Sequence, residues 1–136
     1  MSGAESGSTD TVRSRVTRLE DMSEPSLFTR ILQGEMPGEI VAQNEHVFVL
    51  RDIAPQAPVH LLVIPKTQRY RDVSELAAGD PALLAEVIAM AGRVAAEHAD
   101  GDYRLIFNTG AGAGQTVFHV HAHVLAGGLE EKRLVG

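Results

Sequence analysis

The chain has 136 residues, no cysteine and an apolar fraction of 44%. That fits one domain with a sizeable core and excludes disulfides, thiolate metal sites and a cysteine nucleophile. Its 18 acidic residues against 12 basic ones give a formal charge of −6. With no basic run the chain lacks the electrostatic footprint of a nucleic-acid binder, although local groups can still hold the phosphates of a free nucleotide. No stretch approaches the roughly 18 apolar residues of a transmembrane helix. The segment MSGAESGSTDTVRSRVTRLEDMSEPS has no apolar centre for a signal peptide. No membrane partner is therefore expected, and the cytoplasm is the expected compartment.

Residues 1–24 are rich in Ser, Thr, Gly and mixed charge. Such a segment buries too little surface to offset its ordering entropy, which predicts a disordered arm ahead of one domain over 25–136. Ser26 is a plausible N-cap for a short helix, LFTRILQ, ended by Gly34 and Pro37, with Leu27, Phe28 and Ile31 facing inward. Two apolar runs, Ile40–Ala42 and Val47–Leu50, flank the polar QNEH and read as a hairpin. The prolines of DIAPQAP bar helix and central strand alike, and His60–Ile64 follows as an apolar strand stopped by Pro65.

Asp80-Pro81 is a cap and first-position pair opening one long helix to about His98. Leu83, Leu84, Val87, Ile88, Ala91, Val94 and Ala95 recur at helical spacing and form its expected buried face. A strand is predicted from Tyr103 to Asn108, then a glycine loop, then a final strand from roughly Thr116 to Leu125. Sequential strands joined by a loop suggest an antiparallel pair. The sum is α+β: about five strands, mostly antiparallel, with one long and one short helix.

GQTVFHVHAHVL carries the chemistry. Side chains alternate along a strand, so His119, His121 and His123 share a face, while Val120, Ala122 and Val124 fit a core beneath the helix. Three imidazoles on one face of a half-buried strand suit two tasks. One is zinc binding, but positions four apart lie roughly 13 Å from each other on a strand, so one ion cannot take all three. The other is attack on phosphorus: neutral imidazole is a good nucleophile near pH 7 and forms a nucleotidyl-histidine. The flanking histidines would then hydrogen-bond phosphate oxygens and move protons to the leaving group. Thr116 adds a hydroxyl. The loop Asn108–Gln115, which includes Gly114, reads on its own as a flexible hairpin loop, but directly before the triad it is expected to be an anion cradle whose glycines turn backbone N–H groups toward a phosphate.

With Gly114-Gln115-Thr116-Val117 leading into His-x-His-x-His, the stretch resembles the motif of the histidine-triad (HIT) family. The likeness extends to SLFTRILQGEMPGEIV, LRDIAPQAPVHLLVIPK and YRLIFN, so it covers about residues 26 to 128, and it is similar to the Hint branch. The resemblance implies a HIT-like fold and a homodimer that joins its sheets. It further implies hydrolysis of purine nucleoside phosphoramidates and related adenylates, with an AMP-type nucleotide as the bound species. No cofactor is expected, and no metal, since the chain lacks cysteine and shows no obvious carboxylate at ligand spacing beside the triad. It makes His121 the nucleophile, assisted by His119 and His123, with His60 completing the proton network. Asp52 would take both ribose hydroxyls. Asn108, Thr116 and the Val117 backbone would meet the phosphate, while Phe28, Ile31, Leu50 and Ile53 would clamp the base.

Some positions depart from the family pattern. Gln68 stands where many relatives have a histidine, which argues against an extended relay or an accessory zinc site. Leu50 replaces a frequent aromatic, Arg51 lies where a histidine is common, and the tail LEEKRLVG lacks an aromatic end. A dinucleoside polyphosphate hydrolase or nucleotidyltransferase would share the triad and its approach, although APQAPVHLLVIPK and the short C-terminus favour the Hint side. A nucleotide-binding regulatory module is the reading from another class.

Overall fold

A computed structural model describes residues 24–130. The arm expected over 1–24 lies outside that span except for Glu24. Helix α1, Leu27–Leu32, starts where Ser26 accepts a hydrogen bond from the Thr29 N–H. Strands β1, Ile40–Gln43, and β2, Val47–Arg51, form the hairpin. Its turn is closed by Asn44, whose side chain accepts from the His46 and Val47 N–H groups. Strand β3 spans Val59–Pro65.

A short helix α2, Val73–Gly79, comes next and was not expected. Asp72 caps it at the Glu75 N–H while the Glu75 carboxylate accepts from the Arg71 N–H. The long helix α3, Pro81–His98, opens on Asp80, which accepts from the Leu83 N–H. Strands β4, Arg104–Ile106, and β5, Ala122–Ala126, complete one five-stranded sheet in the order β1-β2-β3-β5-β4, antiparallel throughout.

Parity along the strands sorts the side chains. Val47 and Val49 of β2, Leu61 and Val63 of β3, and Ala122 and Val124 of β5 pack with Val87, Met90, Ala91 and Val94 of α3. Phe48, Leu50, Leu62 and Ile64 point to the other face, where Phe28 covers them. Two positions differ from the expected inward faces. Ile88 is 43% exposed, and Met90, two residues on, faces the sheet instead. On α1, Leu27 is 42% exposed while Phe28 alone is fully inside.

Both terminal strands are shorter than expected. Before Ala122 the backbone is held from the side: the Val120 N–H donates to the Tyr70 carbonyl, and the Gln115 side chain donates to the Val117 carbonyl. Those bonds hold the chain without a ladder partner, so His119 and His121 precede the strand and only His123 lies within it.

Leu61 is fully buried between α3 and the sheet. Leu61→Ala should cost about 2–5 kcal/mol in urea unfolding, whereas Ile88→Ala should cost less than about 1 kcal/mol. Similar losses for the two variants would contradict this assignment of the core.

Candidate active site

The register of β3 against β5 assembles the site. His60 pairs with Leu125 and Leu62 with His123, so His60 and His123 are diagonal neighbours on the face away from α3. His60 Nε2 lies 2.9 Å from His123 Nδ1 and 3.4 Å from the Asp52 carboxylate. The His121 ring stands beside His123 at 5.1 Å between centroids. The residues 52, 60, 121 and 123 singled out in the sequence are thus brought together.

Hydrogen-bond partners assign the protons. His121 Nδ1 is 2.8 Å from the carbonyl oxygen of His119, which only accepts, so Nδ1 carries the proton and Nε2 keeps its lone pair. His60 Nδ1 accepts from the Gln56 backbone N–H at 3.0 Å, so its proton is on Nε2 and is donated to His123 Nδ1. His123 then holds its own proton on Nε2. A bare Nε2 on His121 and an N–H donor on neighbouring His123 follow from these two chains.

His119 differs from the expectation that it would hydrogen-bond phosphate oxygens. Its ring is fully buried, with Nε2–H donating to the Pro65 carbonyl at 2.8 Å and Nδ1 taking the Ser26 hydroxyl proton at 2.6 Å. Its contribution is the backbone carbonyl that sets the His121 tautomer. Ser26 was recognised in the sequence only as a helix cap. No local pattern announces its second bond, which spans 93 positions. Gln68 supports the same corner: its Oε1 accepts from the Ser26 N–H and the Thr29 hydroxyl. Its amide thus binds protein donors as a helix-end acceptor, and amides and hydroxyls are poor zinc ligands.

The glycine loop also differs from expectation. A 3-10 turn over Ala111–Ala113 directs the Ala113 and Gln115 N–H groups to the Gly110 carbonyl and the Gly114 N–H to the Ala111 carbonyl. Gly110 and Gly114 sit at φ 90 and 95, where side chains are disfavoured. The Gln115 side chain is buried and binds the Gly110 N–H and the Arg71 and Val117 carbonyls, so Gln115 and Gly114 brace the loop from behind. Among the described residues the N–H groups of Thr116 and Val117 and the side chain of half-buried Asn108 have no hydrogen-bond partner. No protein acceptor or donor among the described residues competes for these groups.

Phe28 meets the His121 ring edge-on at 4.8 Å and heads an apolar cluster with Leu50, Ile31 and Val117. Three of the four expected base contacts are therefore adjacent. The fourth, Ile53, is outside that cluster, with its side chain 94% exposed.

Burial keeps the rings neutral. It lowers His121 below its ordinary value of 6.5 against the opposing pull of the His119 carbonyl and Asp52, and it lowers His60 against Asp52. His123 is pushed down to about 4, by burial first and then by His121 and His60. In the unfolded chain these groups take up protons near pH 6.5. Between that pH and the lowered folded values the unfolded state binds more protons, so stability falls as pH drops from about 6.5 toward 4. Urea unfolding across that window should show a shallower acid loss for His123→Asn than for the wild type; identical pH dependence would count against the assignment.

A family model described as HIT domain matches residues 33–128. The chain is 39% identical over 108 residues to a purine nucleoside phosphoramidase of Escherichia coli, a match covering 78% of this chain and 90% of that protein. It is 42% identical over 107 residues to a HIT-like protein of Synechococcus elongatus, covering 78% and 93%. Among solved structures, a HIT family hydrolase from Clostridium thermocellum superposes with a TM-score of 0.72 at 40% identity, covering 78% of this chain and 93% of that one. One from Legionella pneumophila gives 0.70 at 40% identity, covering 76% and 93%. The matched span contains the sheet, the braced loop and all three imidazoles of the triad, and the chain belongs to the HIT domain family.

Proposed function

We propose that the protein is a cytoplasmic hydrolase that cleaves purine nucleoside 5′-phosphoramidates, or related adenylates, through a nucleotidyl intermediate on His121. The observation that carries this reading is the bare, burial-neutralised Nε2 of His121, held beside the N–H of His123. In the first step Nε2 bonds to phosphorus as the P–N bond breaks, and the leaving nitrogen departs as the amine after taking the Nε2 proton of His123. In the second, water displaces the imidazole, restores that proton and releases the nucleoside monophosphate. His123 Nε2–H and the Thr116 and Val117 N–H groups, with Asn108 beside them, would stabilise charge on the phosphate oxygens. Phe28, Leu50 and Ile31 would hold the base, and Asp52 would take the ribose hydroxyls, for which its two acceptor oxygens are suited.

The similarity to the E. coli phosphoramidase supports the choice of substrate class. Among the described residues no helix is long and apolar enough to cross a membrane. A homodimer joined through the sheet is part of the same reading, because β4 stands at an edge of the strand order.

His121→Asn should lower kcat/KM for an adenosine phosphoramidate by at least about 10³-fold and abolish a stoichiometric nucleotidyl-enzyme in acid quench. The acid limb of the wild-type profile should fall below pH 6.5. Undiminished turnover in the variant would sink the mechanism, and faster turnover of a diadenosine polyphosphate would transfer the reading to that substrate. Sedimentation should give twice the chain mass of 14.6 kDa; a single-chain mass would refute the dimer.

A further inference from the structure

Asp52, His60 and His123 bring three metal-ligating atoms within 4.8 Å of one another. Two imidazoles and a carboxylate are a common zinc donor set. A metal-bound imidazole, however, turns its second nitrogen outward as a protonated donor toward an acceptor. His60 has the reverse arrangement. Its Nδ1 faces the Gln56 backbone N–H at 3.0 Å, and an amide N–H cannot become an acceptor. An ion on Nε2 would force the His60 proton onto Nδ1, against that N–H, or require an imidazolate.

We propose that the Gln56 backbone amide is a tautomer lock on His60, which keeps the His60 proton on Nε2 and bars divalent transition metals from the triad. The lock has a second effect. Because His60 Nε2–H is donated to His123 Nδ1 at 2.9 Å, His123 keeps its own proton on Nε2 for the substrate. Gln56 is thus a positioning residue that acts through His60.

The loop is built to hold this amide in place. The Ala54 N–H donates to Asp52 Oδ1 at 2.7 Å, the Gln56 side chain donates to the Ala54 carbonyl at 3.0 Å, and the Asp52 N–H donates to the His60 carbonyl at 3.0 Å. Pro55 and Pro58 restrict φ on either side. Zinc prefers neutral imidazole, and the lowered pKa values leave these rings neutral and open to it; protection therefore has to come from geometry.

The kinetic part of this inference rests on the proposed reaction; the tautomer and metal parts do not. Long-range 1H–15N correlation spectra of the labelled full chain at neutral pH should show His60 protonated at Nε2 and bare at Nδ1. The opposite tautomer overturns the lock. Zinc ions titrated into the wild type should give no one-to-one complex broadening His60 and His123; such a complex also overturns it. Gln56→Pro removes the N–H and should bind zinc at least about tenfold more tightly than the wild type. The same variant should lose about tenfold or more in kcat, with little change in KM. A folded Gln56→Pro with unaltered zinc affinity overturns the proposal, and should that variant fail to fold, the wild-type tautomer decides. A chain without phosphoramidase activity but with Nε2–H on His60 would keep the lock and discard the reaction.

Discussion

The hydrogen bond from His121 Nδ1 to the carbonyl of His119 decides what the triad is able to do. A neutral imidazole has one proton and one lone pair, so fixing the proton on one nitrogen aims the lone pair of the other. The carbonyl must itself be immobile for that to hold. It is fixed on both sides: the His119 ring is clamped between Ser26 and Pro65, and the next N–H, that of Val120, is tied to the Tyr70 carbonyl. Burial adds the second condition by disfavouring the imidazolium, which has no lone pair to offer.

Identical residue types at period two therefore do three different jobs. His119 is an interior anchor, His121 the bare lone pair and His123 a donor set by His60. What separates them is a gradient in the hydrogen-bond partners found among the described residues: the Ser26 hydroxyl and the Pro65 carbonyl hold the His119 ring, a backbone carbonyl the His121 ring and His60 of β3 the His123 ring. The sheet supplies this gradient through its edges. Only His123 lies within β5, so it alone gains a cross-strand imidazole, while the two rings ahead of the strand meet α1 through Phe28.

Much of this was legible in the sequence because it depends on side-chain identity at short spacing. Ser26 and Asp80-Pro81 mark helix starts through their own chemistry, and alternation in HLLVI and HVHAHV assigns faces. Failures came where backbone groups decide. Seven residues of α2 are too few for periodicity to register, although Asp72 and Glu75 stand at capping distance. The glycine loop has the composition of an anion cradle, yet its N–H groups close a 3-10 turn, because a buried glutamine three residues beyond Gly112 braces it. On α3 Met90 is buried and Ile88 is 43% exposed, a choice that helical spacing alone leaves open because both positions border the same apolar stripe.

The histidine strand shows the same limit in its sharpest form. A His-rich strand beside a carboxylate reads equally as a metal site or as a set of acid–base groups, since both use neutral imidazole. The two are separated by what faces the second nitrogen of each ring: an acceptor leaves the other nitrogen able to bind a metal or phosphorus, and a donor makes it an N–H. For His121 the partner is a carbonyl and for His60 an amide, so the first keeps a bare Nε2 and the second an Nε2–H. Every residue has that carbonyl, and every residue except proline has that amide. The distinction between ligand and relay is therefore written in the path of the backbone through Gln56 and His119, at positions whose side chains have no part in it.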